Sequence, residues 1–328
     1  MSLYNSLAQF CGKKLPRPLF NIALRIGETY KHIVMPEQKK SYGDLNPDKT
    51  FYVIRLYSPA GYLACYNFVL GYMKKAFSKG WIPIIDMENY ETMYQMKEAV
   101  NGTRNVWEYI FKQPYDTATG KRYSLDEVYH SKNVILSDGS ELLNDLTGDF
   151  KTLEWQHEMA ELVPFQDIVQ EKADTILNRL FTSERVLDGI LGGRVRGTDL
   201  KTRVIGHAIQ ADGAEIAADL KRYSKEWNCK NIFVVAEEEG ALKELDAQGI
   251  TYICTETDRV KETKKNTNAA YQHNTDAYSN LVDYCVNVYL LSRCNALIGT
   301  MNNGMYTAMI WNGNKYEHLE IIDKGRYK

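Results

Sequence analysis

The sequence predicts an α/β chain built as two Rossmann-like domains facing a central cleft. Three observations carry that expectation. Apolar, β-branched runs of strand length alternate with helical patterns almost throughout, which implies mostly parallel sheets covered by helices. The alternation stops near residues 180–187 and then begins again. The chain also has 328 residues, more than the roughly 250 at which single cores stop growing. The domains therefore read as residues 1–183 and 184–328.

In the first domain, residues 51–57 (FYVIRLY) form a β-branched and aromatic strand pattern. Residues 62–79 place Leu63, Tyr66, Leu70 and Met73 at helical spacing. Residues 81–86 (WIPIID) and 133–137 (NVILS) read as further strands, with helical patterns near 104–112 and 151–182. The second domain opens on a strand at 188–196 (DGILGGRVR), followed by a helix at about 212–227 and a strand at 231–236 (NIFVVA). A helix at 238–248, a strand at 250–254 and a polar stretch at 256–275 come next. Within that stretch, the Lys-, Thr- and Asn-rich residues 260–275 read as a loop of the kind that orders on ligand binding. The pattern ends with a helix at 276–293, a strand at 296–299, a helix near 303–311 and a strand at 317–322. Two α/β domains of similar size with a cleft between them suggest the GT-B architecture.

Composition narrows the function. Forty basic residues against 42 acidic ones leave a net charge of −2, which provides no global attraction to nucleic acid or anionic lipid. Any anion must be met by a local cluster of Arg and Lys. The six cysteines form no CxxC pair and no zinc spacing with His, and Cys285 and Cys294 sit in apolar runs as small hydrophobes. A reducing, cytoplasmic setting fits. No run approaches the roughly 20 apolar residues of a membrane span, which leaves only peripheral contact with a membrane open. Neither GxGxxG nor GxxxxGK[ST] occurs, which argues against a dehydrogenase or a P-loop kinase.

The most informative segment is LGGRVRGTD, Leu191 to Asp199. An apolar strand runs into Arg194, Arg196, Thr198 and Asp199, and ligands of open parallel sheets bind beyond the carboxyl ends of strands. Arginines on alternate residues point to one side, and guanidinium forks suit diphosphate oxygens. The same residues equally describe a surface strand end with an arginine paired to Asp199. The segment resembles the H-x-R-x-T-D signature of the superfamily containing α-1,6- and protein O-fucosyltransferases. The resemblance implies that Arg196 binds the donor pyrophosphate and is catalytic, with Thr198 and Asp199 completing the signature. Arg194 stands where that family has His.

Further matches follow in the family's order across the C-terminal half. His207, in GHAIQ, resembles the superfamily's His-Pro-Ile-Glu segment, and Glu237 and Glu238 fill the two carboxylate places of its strand-plus-acidic motif. A carboxylate there would bind sugar or ribose hydroxyls, or brace the arginines. Glu238 and Glu239 read as the acid-rich start of a helix. Residues 287–304 resemble a helix–strand–loop that holds the β-phosphate, with Thr300, Asn302 and Asn303 in the loop. Asn287 stands where the family has an Asp that pairs with guanine. An amide supplies one acceptor oxygen where a carboxylate supplies two, so guanine selection is weakened.

In the first domain, Gly61 permits a tight turn and close backbone approach to a ligand, and the resemblance implies that this turn faces the donor phosphates. Asp86 and Glu88 close a strand as acceptor-side candidates. The Asp-x-Asp clamp of metal-dependent sugar transferases is absent, and no His cluster has metal spacing. The resemblance accordingly implies an inverting, metal-independent transferase with no cofactor. Its partners would be a nucleotide-sugar donor, GDP-fucose first, and a glycan or glycolipid-linked acceptor of surface polysaccharide synthesis. An inverting displacement needs a carboxylate base, and 200–206 (LKTRVIG) offers none, leaving Asp86, Glu88 and Glu237. The rival reading is a degenerate, non-catalytic nucleotide- or glycan-binding protein, or a transferase of another nucleotide sugar.

Overall fold

A computed structural model describes residues 36–56, 60–90, 92, 94–139, 153–195, 208–261 and 277–327. Arg196, Thr198, Asp199 and His207 lie outside the described residues. The chain divides into two compact units. One comprises the described part of Met1–Phe150 with Glu154–Gln166, and the other comprises Leu153 and the described part of Asp167–Lys328.

The first unit holds strands β1 (Gln38–Lys40), β2 (Phe51–Ile54), β3 (Ile82–Ile85) and β4 (Val134–Leu136) in the order β1-β4-β2-β3. β2 pairs in parallel with β3 and with β4, and β1 closes the edge antiparallel to β4. Helix α1 (Tyr62–Ser78) crosses from β2 to β3. Its sequence is apolar nearly all round, and twelve of its 17 residues are buried. One sheet face packs Phe51, Val53, Ile82 and Ile84 against Tyr123 and Val128 of the short helix α2 (Leu125–Val128) and its approach. Alternate residues of a strand face opposite sides, so the run FYVI fills both faces.

Two predicted helices are shorter than expected. The pattern at 104–112 forms one 3₁₀ turn, Val106–Tyr109, whose N-cap Asn105 accepts from Trp107 N. The pattern at 151–182 divides into α3 (Glu154–Glu161) and α4 (Asp167–Leu180) around Pro164, which cannot donate its amide and keeps the preceding residue out of the helical region. α4 and the short α5 (Ser183–Leu187) group with the second unit.

The second unit contains β5 (Ile190–Val195), α6 (Gly213–Glu226), β6 (Asn231–Ala236), α7 (Glu239–Ala247), α8 (Ala277–Ser292), β7 (Ala296–Thr300), α9 (Asn303–Asn312) and β8 (His318–Ile322). The sheet order is β6-β5-β7-β8, with every pair parallel. The expected strand at 250–254 contributes only a bridge from Ile253 to Phe233 beside β6. Central strand β5 is wholly buried, and its two glycines serve packing. A Cβ on Gly192 would meet Leu291 and Cys294 of the α8 side at 3.0–3.1 Å, and one on Gly193 would meet Leu220 of α6 at 3.0 Å. Each glycine therefore lets a helix approach one face of the strand. Asp212 and Glu215 form a reciprocal cap that starts α6. Among the described residues, no helix is long and apolar enough to cross a membrane. Complete burial pushes the Cys285 and Cys294 thiols well above their usual range.

Candidate functional site

After β5 the chain crosses to β6 on one side, and after β6 it crosses back over β5 to β7 on the other. The carboxyl ends of β5 and β7 therefore flank the topological switch point, where open α/β sheets bind ligands. Four sequence-predicted residues lie at or beside this edge: Arg194 in β5, Thr300 at the end of β7, and Asn302 and Asn303 at the start of α9.

Arg194 is enclosed, with a side-chain exposure of 0%. In register it faces Val235 of β6 and Gly299 of β7, where a glycine Cβ would sit 3.1 Å from the Cβ of Arg194. Its Nη2 donates to Glu237 Oε1 just past β6, and its guanidinium carbon lies 5.7 Å from the Tyr284 ring of α8. Its Nε finds no hydrogen-bond acceptor among the described residues. Of the two alternatives for Glu237, bracing an arginine is the one the geometry displays. A buried guanidinium so held is a fixed positive charge beneath the sheet edge.

The β7–α9 turn is clasped to the chain entering α6. Thr300 Oγ1 accepts from Ala211 N at 3.0 Å, and Asn302 Nδ2 donates to Gln210 Oε1 at 3.2 Å. Gln210 Nε2 in turn donates to the carbonyls of Met301, at 3.2 Å, and Ala208, at 3.0 Å. Asn302 is also the N-cap of α9, its Oδ1 accepting from Met305 N at 3.0 Å. Of the described neighbours of 196–207, Val195 ends β5 at the switch point, and Ala208 pairs with Arg326 beyond β8. Asn303 is the first residue of α9, and next to it Gly304 allows close packing at a spot where a Cβ would be crowded. That spot is 3.1 Å from Tyr284 Oη and 3.3 Å from both Arg194 Nε and Asn302 Oδ1. Helix N-termini carry partial positive charge and exposed amides, so the edge favours an anion.

Asn287, on α8, is nearly buried, and its Oδ1 accepts from Thr255 Oγ1 at 2.5 Å. Arg259 fixes Thr255 by donating to its carbonyl at 2.7 Å and to Ala236 O at 3.3 Å. Gln210, Tyr284, Thr255 and Arg259 were not marked by sequence reasoning. Gln210 lay within the GHAIQ segment, and the others had no pattern of their own.

In the first unit, the three predicted residues behave differently from one another. Gly61 caps α1 with φ −61° and ψ 154°, ordinary extended backbone, and a Cβ there would meet only Tyr94 Oη at 3.8 Å. Neither a left-handed turn nor crowding among the described residues requires this glycine, which corrects the tight-turn expectation. Asp86 is fully buried and accepts from Glu88 N, Asn89 N, Asn89 Nδ2 and Tyr129 Oη, the last at 2.6 Å. Four donors occupy its oxygens, so it braces a turn. Glu88 is half-buried, and its carboxylate receives no hydrogen bond among the described residues. Those residues also contain no group of three or more His, Cys, Asp or Glu able to hold a metal ion.

No family model matches the sequence, and no curated protein matches it by sequence comparison. Solved structures do match. NodZ α-1,6-fucosyltransferase co-crystallised with GDP aligns at 12% identity and a TM-score of 0.51, over 80% of this chain and 92% of that one. NodZ soaked with GDP-fucose aligns at 11% identity and a TM-score of 0.50, over 84% and 100%. Selenomethionine NodZ from Bradyrhizobium aligns at 10% identity and a TM-score of 0.50, over 85% and 97%. At such identities the likeness concerns the fold: this chain has a fucosyltransferase-like α/β fold along most of its length.

Proposed function

We propose that the protein is an inverting glycosyltransferase that takes a sugar from a nucleoside-diphosphate donor, GDP-fucose first, and passes it to a glycan acceptor of surface polysaccharide or glycoconjugate synthesis. The observation that carries this reading is the second unit's switch point. There a buried cation, Arg194, and the amino end of α9 stand beside Val195, from which residues 196–207 depart, and beside the Gln210 side chain. The similarity to structures of NodZ with GDP and with GDP-fucose supports the same chemistry.

In this reading Arg196 holds the diphosphate and neutralises the leaving group, with Thr198, Asp199 and His207 beside it. Permanent guanidinium charge does the work a divalent metal does elsewhere. Arg194, enclosed and braced by Glu237, sets the local potential rather than touching the donor. Asn303 and the α9 amides take the β-phosphate, and Thr300 and Asn302 hold the turn that presents them. With its oxygen turned to Thr255, Asn287 offers its amide nitrogen to a base carbonyl, a donor that suits guanine O6 or uracil O4.

The test is release of nucleoside diphosphate from GDP-fucose, with and without a glycan mixture, in wild type and Arg196→Ala. Turnover in wild type, with loss in the variant at an unchanged thermal midpoint, is the expected result. No release by wild type would favour the non-catalytic binder of the same fold.

A further inference from the structure

The carboxyl edge of the first unit's sheet gathers aromatic and charged side chains that the donor chemistry does not use. Tyr129 is fixed by its 2.6 Å hydrogen bond to Asp86, just past β3. Its ring supports Tyr42 edge-to-face, with centroids 5.1 Å apart and an interplanar angle of 80°. The Tyr42 backbone is held as well, donating to Ser131 O at 3.0 Å. Tyr42 nevertheless remains 41% exposed, and its hydroxyl has no hydrogen-bond partner among the described residues. Tyr90, half-buried, lies under the guanidinium of Arg55 at 5.6 Å. Arg55 follows β2 and donates to the carbonyls of Ser137 and Pro36, so it too is fixed. Burial together with Tyr90 and Asp86 raises the Tyr42 hydroxyl above its usual range, outweighing Arg55, and keeps it neutral.

Two tyrosine rings are thus each backed by an immobilised neighbour, and Glu88, whose carboxylate receives no hydrogen bond among the described residues, lies two residues before Tyr90. Such rings offer apolar faces at low entropic cost together with a hydroxyl handle. They suit the C–H face of a pyranose, and a carboxylate suits its hydroxyls. The local charge opposes a polyanion: Arg55 is engaged by carbonyls, and the carboxylate of Asp86 acts on Tyr42.

We propose that Tyr42, Tyr90 and Glu88 form a saccharide-binding subsite for a neutral sugar of the acceptor, an assignment whose acceptor role rests on the transferase reading above. The test uses the full chain on an array of neutral oligosaccharides, alongside calorimetry with GDP. Wild type should retain at least one neutral glycan. Tyr42→Ala should weaken it roughly tenfold, the worth of one stacked ring, and Tyr42→Phe by less. Glu88→Gln should weaken it as well, and GDP affinity should be unchanged in all three variants. Retention of no neutral glycan, or Tyr42→Ala and Glu88→Gln binding like wild type, would overturn the subsite. Glycan binding lost in Tyr42→Ala, with no GDP binding even in wild type, would keep the subsite and sink the transferase reading.

Discussion

Replacing Glu237 by Ala would leave the Arg194 guanidinium buried without its carboxylate. The arginine side chain has an exposure of 0% and that of Glu237 13%, so water cannot take over the lost contact. Its other acceptor, Val235 O, is 3.5 Å from Nη1, too long to compensate. Removing one member of such a pair costs about 3–5 kcal/mol, chiefly as the penalty of an uncompensated buried charge. For a unit of this size, each kcal/mol lowers the thermal midpoint by about 2–4 °C, so a fall of roughly 6–20 °C follows. Urea denaturation followed by far-UV circular dichroism should show the loss as a lower midpoint at unchanged slope. Changing both partners to apolar residues, Arg194→Met with Glu237→Leu, should recover most of the stability, because the pair's own net contribution is small. Glu237→Ala falling within about 1 kcal/mol of wild type would refute the reasoning and place Arg194 in solvent, where ion pairs contribute little.

Other perturbations separate holding the fold from holding a ligand. Asn302→Asp keeps the α9 cap but loses the amide donor to Gln210 Oε1 and Thr300 O, so it should lower stability by about 1–3 kcal/mol and, through its charge, weaken GDP binding in a calorimetric titration. Asp86→Ala strands four donors and should lower stability by about 3 kcal/mol in urea, whereas Tyr129→Phe should cost about 1–2 kcal/mol. Gly61→Ala should leave the thermal midpoint nearly unchanged, since its backbone is extended and a methyl fits. A sharp loss of donor turnover in that variant would show that a ligand approaches the site closely.

The second unit was legible because its central strands are short, largely apolar runs bounded by charge or glycine. NIFVVA and ALIGT could be placed to within a residue. Strand β1 was not, since QKK is a polar three-residue edge strand whose only signal is its pairing with β4. The break at Pro164 was visible as a residue but was outvoted by helical spacing on both sides. Alternation put Arg194 and Arg196 on one side of the strand. The enclosure of Arg194 depended on Glu237 in the neighbouring segment and on the space left by Gly299, which no local pattern encodes. The tyrosine cluster draws on Tyr42, Tyr90 and Tyr129, brought together only by the sheet. Asp86 looked like a candidate base because a strand-end carboxylate resembles one, until its four donors were in view.

The central claim is that the second unit's switch point binds a nucleoside diphosphate through arginine and helix-end charge. A calorimetric titration of the full chain with GDP, UDP and CDP, repeated in EDTA, tests it most directly. The account predicts saturable binding, GDP tightest, with the same affinity in EDTA. Binding of none of the three, or binding that EDTA abolishes, would contradict it.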